Sequence, residues 1–65
     1  MVNKYLKCQR ILKDLETKEI AELMGISEQC YLNRENGRSK FSGEQYVYLA
    51  NVLKVEVKDL IMGGM

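Results

Sequence analysis

The sequence predicts an all-α fold, a compact domain of five short helices, and three observations predict it. Apolar residues recur three and four apart, as in Ile20, Leu23 and Met24 or in Tyr46, Leu49, Ala50 and Leu53. The marked segments are separated by residues that stop or start helices, among them Asp14, Gly25, Ser27, Gly37 and Ser42. An alternating strand pattern is confined to Lys54-Val55-Glu56-Val57-Lys58, which is brief and abuts helical patterns on both sides. With 65 residues, the chain is expected to form one domain, residues 1–65, with no internal repeat, low-complexity tract or proline.

The first helix is read over residues 3–13, with Asn3 as its N-cap and Asp14, tolerant of the left-handed conformation, as its end. It carries two apolar stripes, Val2/Leu6 and Tyr5/Cys8/Leu12, so the spacing leaves its buried face open. A second helix over residues 17–24 presents Ile20, Leu23 and Met24 and ends at Gly25, where a glycine suits the residue after a helix. Ser27 caps a third helix, Glu28 to Glu35, which Asn36-Gly37 closes. Ser42 followed by Gln45 is a capping-box pattern opening a fourth helix, Gly43 to Leu53. A fifth runs from Val57 to about Met62 and ends at Gly63-Gly64.

Ten basic and nine acidic residues give a net charge of +1, so the total neither demands nor forbids a nucleic acid. The distribution is more telling. Residues 1–13 hold Lys4, Lys7, Arg10 and Lys13 and no acid; residues 14–30 hold Asp14, Glu16, Glu19, Glu22 and Glu28 against Lys18; residues 34–40 hold Arg34, Arg38 and Lys40 against Glu35. With no histidine and no closely spaced cysteine pair, neither a metal site nor a Cys/His catalytic pair is expected, and no cofactor is implied. Cys8 and Cys30 read as reduced, partly buried thiols. No signal peptide, membrane span or phosphate loop is legible, so a cytoplasmic protein that is not an enzyme is expected.

Two short helices joined through a glycine turn, the second opening at a serine, form a helix-turn-helix pattern. Three separated segments then agree with one family: Ile20-Ala21-Glu22-Leu23-Met24-Gly25-Ile26-Ser27, Glu35-Asn36-Gly37-Arg38-Ser39-Lys40, and Tyr46 to Val55 with Asp59-Leu60-Ile61. On these residues the chain resembles the Cro/repressor (XRE) family of helix-turn-helix DNA-binding proteins, from about Leu6 to Ile61. The resemblance implies a lambda-repressor-like fold with Ala21 at the close approach of the second and third helices. It puts base contacts at Ser27, Glu28, Gln29, Leu32 and Asn33, and phosphate contacts at Thr17, Asn36, Arg38 and Lys40. It also pairs Arg10 of the first helix with Glu35. This sequence departs from the family at Thr17, usually glutamine, and at Arg34, usually apolar. Asp14 and Lys54 stand where glycines are usual, and Phe41 where a proline is common.

Side-chain chemistry fits several of these positions. Gln29 and Asn33 lie four apart on one helix face, and either amide can contact adenine N6 and N7. Glu28 accepts only, which suits a cytosine N4 donor, and Leu32, if exposed, could touch a thymine methyl. The expectation is a DNA-binding transcriptional regulator, a repressor of the phage Cro or compact type since nothing follows residue 65. It would bind a pseudo-palindromic operator of double-stranded DNA as a homodimer, with no membrane and no small-molecule substrate. The expected dimer surface is Tyr48, Val57, Ile61, Met62 and Met65, apolar residues that, Ile61 apart, have no evident place in the core. The competing reading is a protein-interaction module on the same scaffold, an antirepressor or antitoxin-like partner, favoured by the weak net charge, by Glu28 at the groove and by the apolar tail.

Overall fold

In a computed structural model that describes residues 2–63, the helices are α1 (Lys4–Leu12), α2 (Thr17–Met24), α3 (Glu28–Glu35), α4 (Gly43–Leu53) and α5 (Val57–Met62). Among the described residues there is no strand. Gly64 and Met65, and with Met65 one member of the expected dimer surface, lie outside them.

Four of the five helices begin where side chains bond the backbone of the first turn. The Asn3 side chain accepts from Leu6 N–H at 3.0 Å, and Ser27 Oγ accepts from Cys30 N–H at 3.1 Å. Ser42 and Gln45 bond reciprocally, Ser42 Oγ accepting from Gln45 N–H at 3.2 Å and Gln45 Oε1 from Ser42 N–H at 2.9 Å. At the start of α2, the Glu19 carboxylate accepts from Glu16 N–H at 3.1 Å, an acidic group at the positive end of the helix dipole.

Three helices stop in the same way. Asp14, Gly25 and Lys54 take left-handed backbone at φ of 58°, 72° and 57°. The next residue then bonds back five positions: Leu15 N–H to Arg10 O, Ile26 N–H to Ala21 O and Val55 N–H to Ala50 O, at 3.0, 3.1 and 3.0 Å. Each reversal also turns an apolar side chain inward, for Leu15, Ile26 and Val55 all pack against the core. Only Gly25 adopts this conformation without steric cost; Asp14 and Lys54 hold it against a penalty of about 1–2 kcal/mol that the bonds and the packed neighbour offset.

The core is Leu6, Ile20, Ala21, Tyr31, Phe41, Leu49, Ala50, Leu53 and Leu60, with α2 packed on α3, α4 on α5 and α1 on α5. Truncating a fully buried leucine such as Leu49 is worth about 2–5 kcal/mol, a large share of what so small a domain holds. Of the two stripes on α1, that of Leu6 is buried together with Arg10, while Cys8 and Leu12 face solvent. The partly buried thiols expected from composition are therefore corrected: Cys8 and Cys30 are both free and exposed, each on the outward side of its helix. Leu23, read as part of the α2 stripe, is also exposed, because Ile20 and Ala21 alone point directly into the core from α2. Phe41 is buried between Tyr31 and Tyr46, with ring centroids 5.9 and 5.4 Å away.

The polar interior joins three helices. Asn3 donates through its side chain to Leu60 O at 2.8 Å and through its backbone to Glu35 O at 2.9 Å, so one residue fastens the starts of α1 to the ends of α3 and α5. Close by, Arg10 Nε donates to Glu35 Oε2 at 2.9 Å while its Nη1 donates to Leu15 O at 2.8 Å. Tyr31 Oη donates to the same Glu35 oxygen at 2.7 Å. Burial, reinforced by the Glu35 carboxylate, pushes the Tyr31 phenol well above its ordinary value and keeps it a donor.

Candidate nucleic-acid interface

The α3 helix is gripped along one side and bare along another. Tyr31 and Glu35, four apart, are its buried residues, and the Arg10 and Asn3 bonds hold its C-terminal end. Its N-terminal end is reached through the turn Gly25-Ile26-Ser27, where the left-handed Gly25 reverses the chain and Ser27 caps the new helix. Glu28 shares the side of Tyr31 and Glu35 but, as the first residue of the helix, stays exposed. Ser27, Glu28, Gln29 and Cys30 are exposed, and Leu32, Asn33 and Arg34 are half-buried.

Two side-chain bonds organise this surface. Thr17 Oγ1 donates to Glu28 Oε2 at 2.6 Å, tying the first residue of α2 to the first residue of α3 and fixing where the carboxylate points. Gln29 Nε2 donates to Asn33 Oδ1 at 3.0 Å, so the two amides form one unit. What remains outward is the Gln29 carbonyl, an acceptor, and the Asn33 amide, a donor, which together match the N6 donor and N7 acceptor of adenine. Leu32 is only half-buried, leaving part of its side chain for a methyl contact.

The loop after α3 is pinned to it. Gly37 adopts φ of 84°, and Arg38 N–H and Ser39 N–H both donate to Asn33 O, at 2.8 and 3.2 Å. Arg34 Nε closes the other side by donating to Lys40 O at 3.2 Å. Arg34 thus stays half-buried and clips the loop, while Tyr31 fills the interior. Asn36, Arg38 and Lys40 are exposed on that loop beside the free face of α3. Neither the Arg34 clip nor the bridging by Asn3 was expected from the sequence; the one signal was that Asn3 reads as a cap.

Among the described residues, the expected dimer residues differ in their surroundings. Val57 packs partly against the core, which corrects the reading that it lacks a place there. Tyr48 Oη donates to Leu23 O at 2.9 Å, so Tyr48 leans on α2 and not on α5. Ile61, counted also with the core face, is half exposed, and Met62 is exposed. Those two remain as an apolar pair on α5.

Among the described residues no cluster of three or more His, Cys, Asp or Glu could hold a metal ion, and no helix is long and apolar enough to cross a membrane. No family model matches the chain, and neither a curated protein nor a solved structure matches it.

Proposed function

We propose that the chain is a small DNA-binding transcriptional regulator of the Cro/repressor (XRE) helix-turn-helix type, acting in the cytoplasm as a repressor. In this reading α2 lies across the phosphate backbone and the N-terminal half of α3 enters the major groove. The reading rests on the coupled Gln29–Asn33 amide pair on the free face of α3, with Glu28 exposed at the first residue of the helix, while the buried Glu35 is held from α1 by Arg10 and Asn3. Direct base readout needs that combination of preset polar groups and a fixed support. Arg38 and Lys40, on a loop fastened to α3, are at hand for phosphates, and Asn36 offers them an amide.

Further support comes from the left-handed conformation of Asp14 and Lys54, the two positions where the family usually has glycine. Thr17 braces α3 through Glu28, so its hydroxyl has less left to give a phosphate than the family's usual glutamine. One such helix covers few base pairs, so a homodimer on a pseudo-palindrome is proposed, with half-sites about 10 bp apart and with Ile61 and Met62 at the two-fold contact.

Binding to random duplex DNA over a range of salt tests this directly. The affinity should fall linearly in a log–log plot as salt rises, because each phosphate neutralised releases counterions. Absence of binding, or binding indifferent to salt, would remove the DNA reading and favour an interaction module on this scaffold.

A further inference from the structure

The chain carries two exposed apolar patches with rims of opposite charge. One is on α1, where Lys4, Lys7, Cys8, Ile11 and Leu12 fall three and four apart and are all exposed. Ile11 and Leu12 are 57% and 74% exposed, and no acid occurs in this helix. The other is a groove of about 370 Å³ between α2 and α4, lined by Leu23, Met24, Glu44 and Tyr48. It continues past Leu23 into a second hollow walled by Glu19 and Glu22. Across α2 and α4 the only base is Lys18. Among the described residues Arg10–Glu35 is the single ion pair, so neither rim is neutralised within the chain.

We infer that the α2–α4 groove receives α1 of a second copy of this chain, Leu12 covering Leu23 and Tyr48 while Lys4 and Lys7 face Glu22 and Glu44. Charge complementarity selects the occupant: the groove wants a short basic helix with apolar residues at one end, and α1 is one. The groove is also fixed in shape, since Tyr48 Oη is bonded to Leu23 O and Met24 packs on the core. Because patch and groove are different surfaces, each copy gives one and receives the other, a head-to-tail contact separate from the α5 pair proposed for the two-fold dimer. A nine-residue helix covers less than the roughly 800 Å² per partner of a stable complex, so the association is weak and needs high protein concentration.

Sedimentation of the full, reduced chain reads it out in the absence of DNA, on which the two-fold dimer is proposed to form. The native chain should associate at low salt and return to monomer near 1 M salt, where the Debye length is about 3 Å. K4E/K7E and E22K/E44K, all at exposed positions, should each be monomeric alone with unchanged helical circular dichroism, and their equimolar mixture should associate again. In the native chain, alkylation of Cys8, which lies within the α1 patch, should slow as concentration rises while that of Cys30 does not. A native chain that stays monomeric at low salt overturns the inference, as does a mixture that fails to restore association. Association abolished by I61K/M62K but untouched by either reversal would assign the contact to α5 instead.

Discussion

Glu28 and Glu35 are the same residue type on one short helix, seven positions apart and so nearly on one side of it, yet their surroundings are opposite. Glu28 sits at the positive end of the helix dipole, exposed, with a single bond from Thr17. Glu35 sits at the unfavourable negative end, buried, and is tolerable only because Arg10 and Tyr31 both donate to it. The lesson is a division of labour along α3. Its C-terminal end holds three helices together, while its N-terminal end keeps Glu28 and Gln29 exposed, each with one local side-chain bond.

Removing each carboxylate in turn should separate the two ends by the largest margin. Glu35→Ala leaves the Arg10 guanidinium buried without its partner and should cost on the order of 3 kcal/mol, enough to unfold much of the domain. Glu28→Ala should change the urea midpoint by less than about 0.5 kcal/mol equivalent. Equal effects on the two midpoints would erase the distinction.

On the free face, Gln29→Ala and Asn33→Ala should each reduce discrimination at particular base pairs by about 1–3 kcal/mol, with nonspecific affinity nearly intact. Because the two amides are bonded to each other, the double variant should lose less than the sum of the singles. Competition binding against single-base operator variants measures both.

Tyr31→Phe removes one donor to a buried carboxylate and should cost about 1.5–2 kcal/mol near neutral pH. The phenol is raised in the folded protein, so its contribution is fully present below the unfolded value of about 10 and is lost as pH rises beyond it. Unfolding measured from neutral to alkaline pH should therefore show the native chain losing its advantage over Tyr31→Phe above about pH 10. A constant gap would mean that Tyr31 titrates alike folded and unfolded.

The smallest expected effects are at the loop. Arg38→Ala and Lys40→Ala should weaken binding to every sequence alike and each reduce the salt slope by about 1, leaving stability unchanged. Unchanged slopes for both would make them ordinary solvated charges.

Much of this was legible because helix ends are written locally. Asn3, Ser27 and the Ser42/Gln45 pair announce their roles within three residues, and so the helix bounds follow from the sequence. The start of α2 was less plain, since the capping carboxylates Glu16 and Glu19 are not the usual short polar caps. Burial was harder to read. Periodicity marks a stripe without saying which of two stripes meets a neighbour, and so Leu23, Cys8 and Leu12 are exposed while Val57 finds a place against the core. Contacts that join distant segments, such as Asn3 with Leu60 or Tyr48 with Leu23, depend on how the helices cross and leave no local mark. The Thr17–Glu28 and Gln29–Asn33 bonds fall between: the residues could be named from spacing and resemblance, but not what they do to one another.

Selection of bound sequences from random duplex DNA, performed with the native chain and with Gln29→Ala, shows whether the free face of α3 reads bases. The expected result is enrichment of a pseudo-palindrome with half-sites about 10 bp apart and an adenine in each half that Gln29→Ala no longer requires. No enriched sequence, or the same sequence with undiminished stringency from the variant, would contradict it.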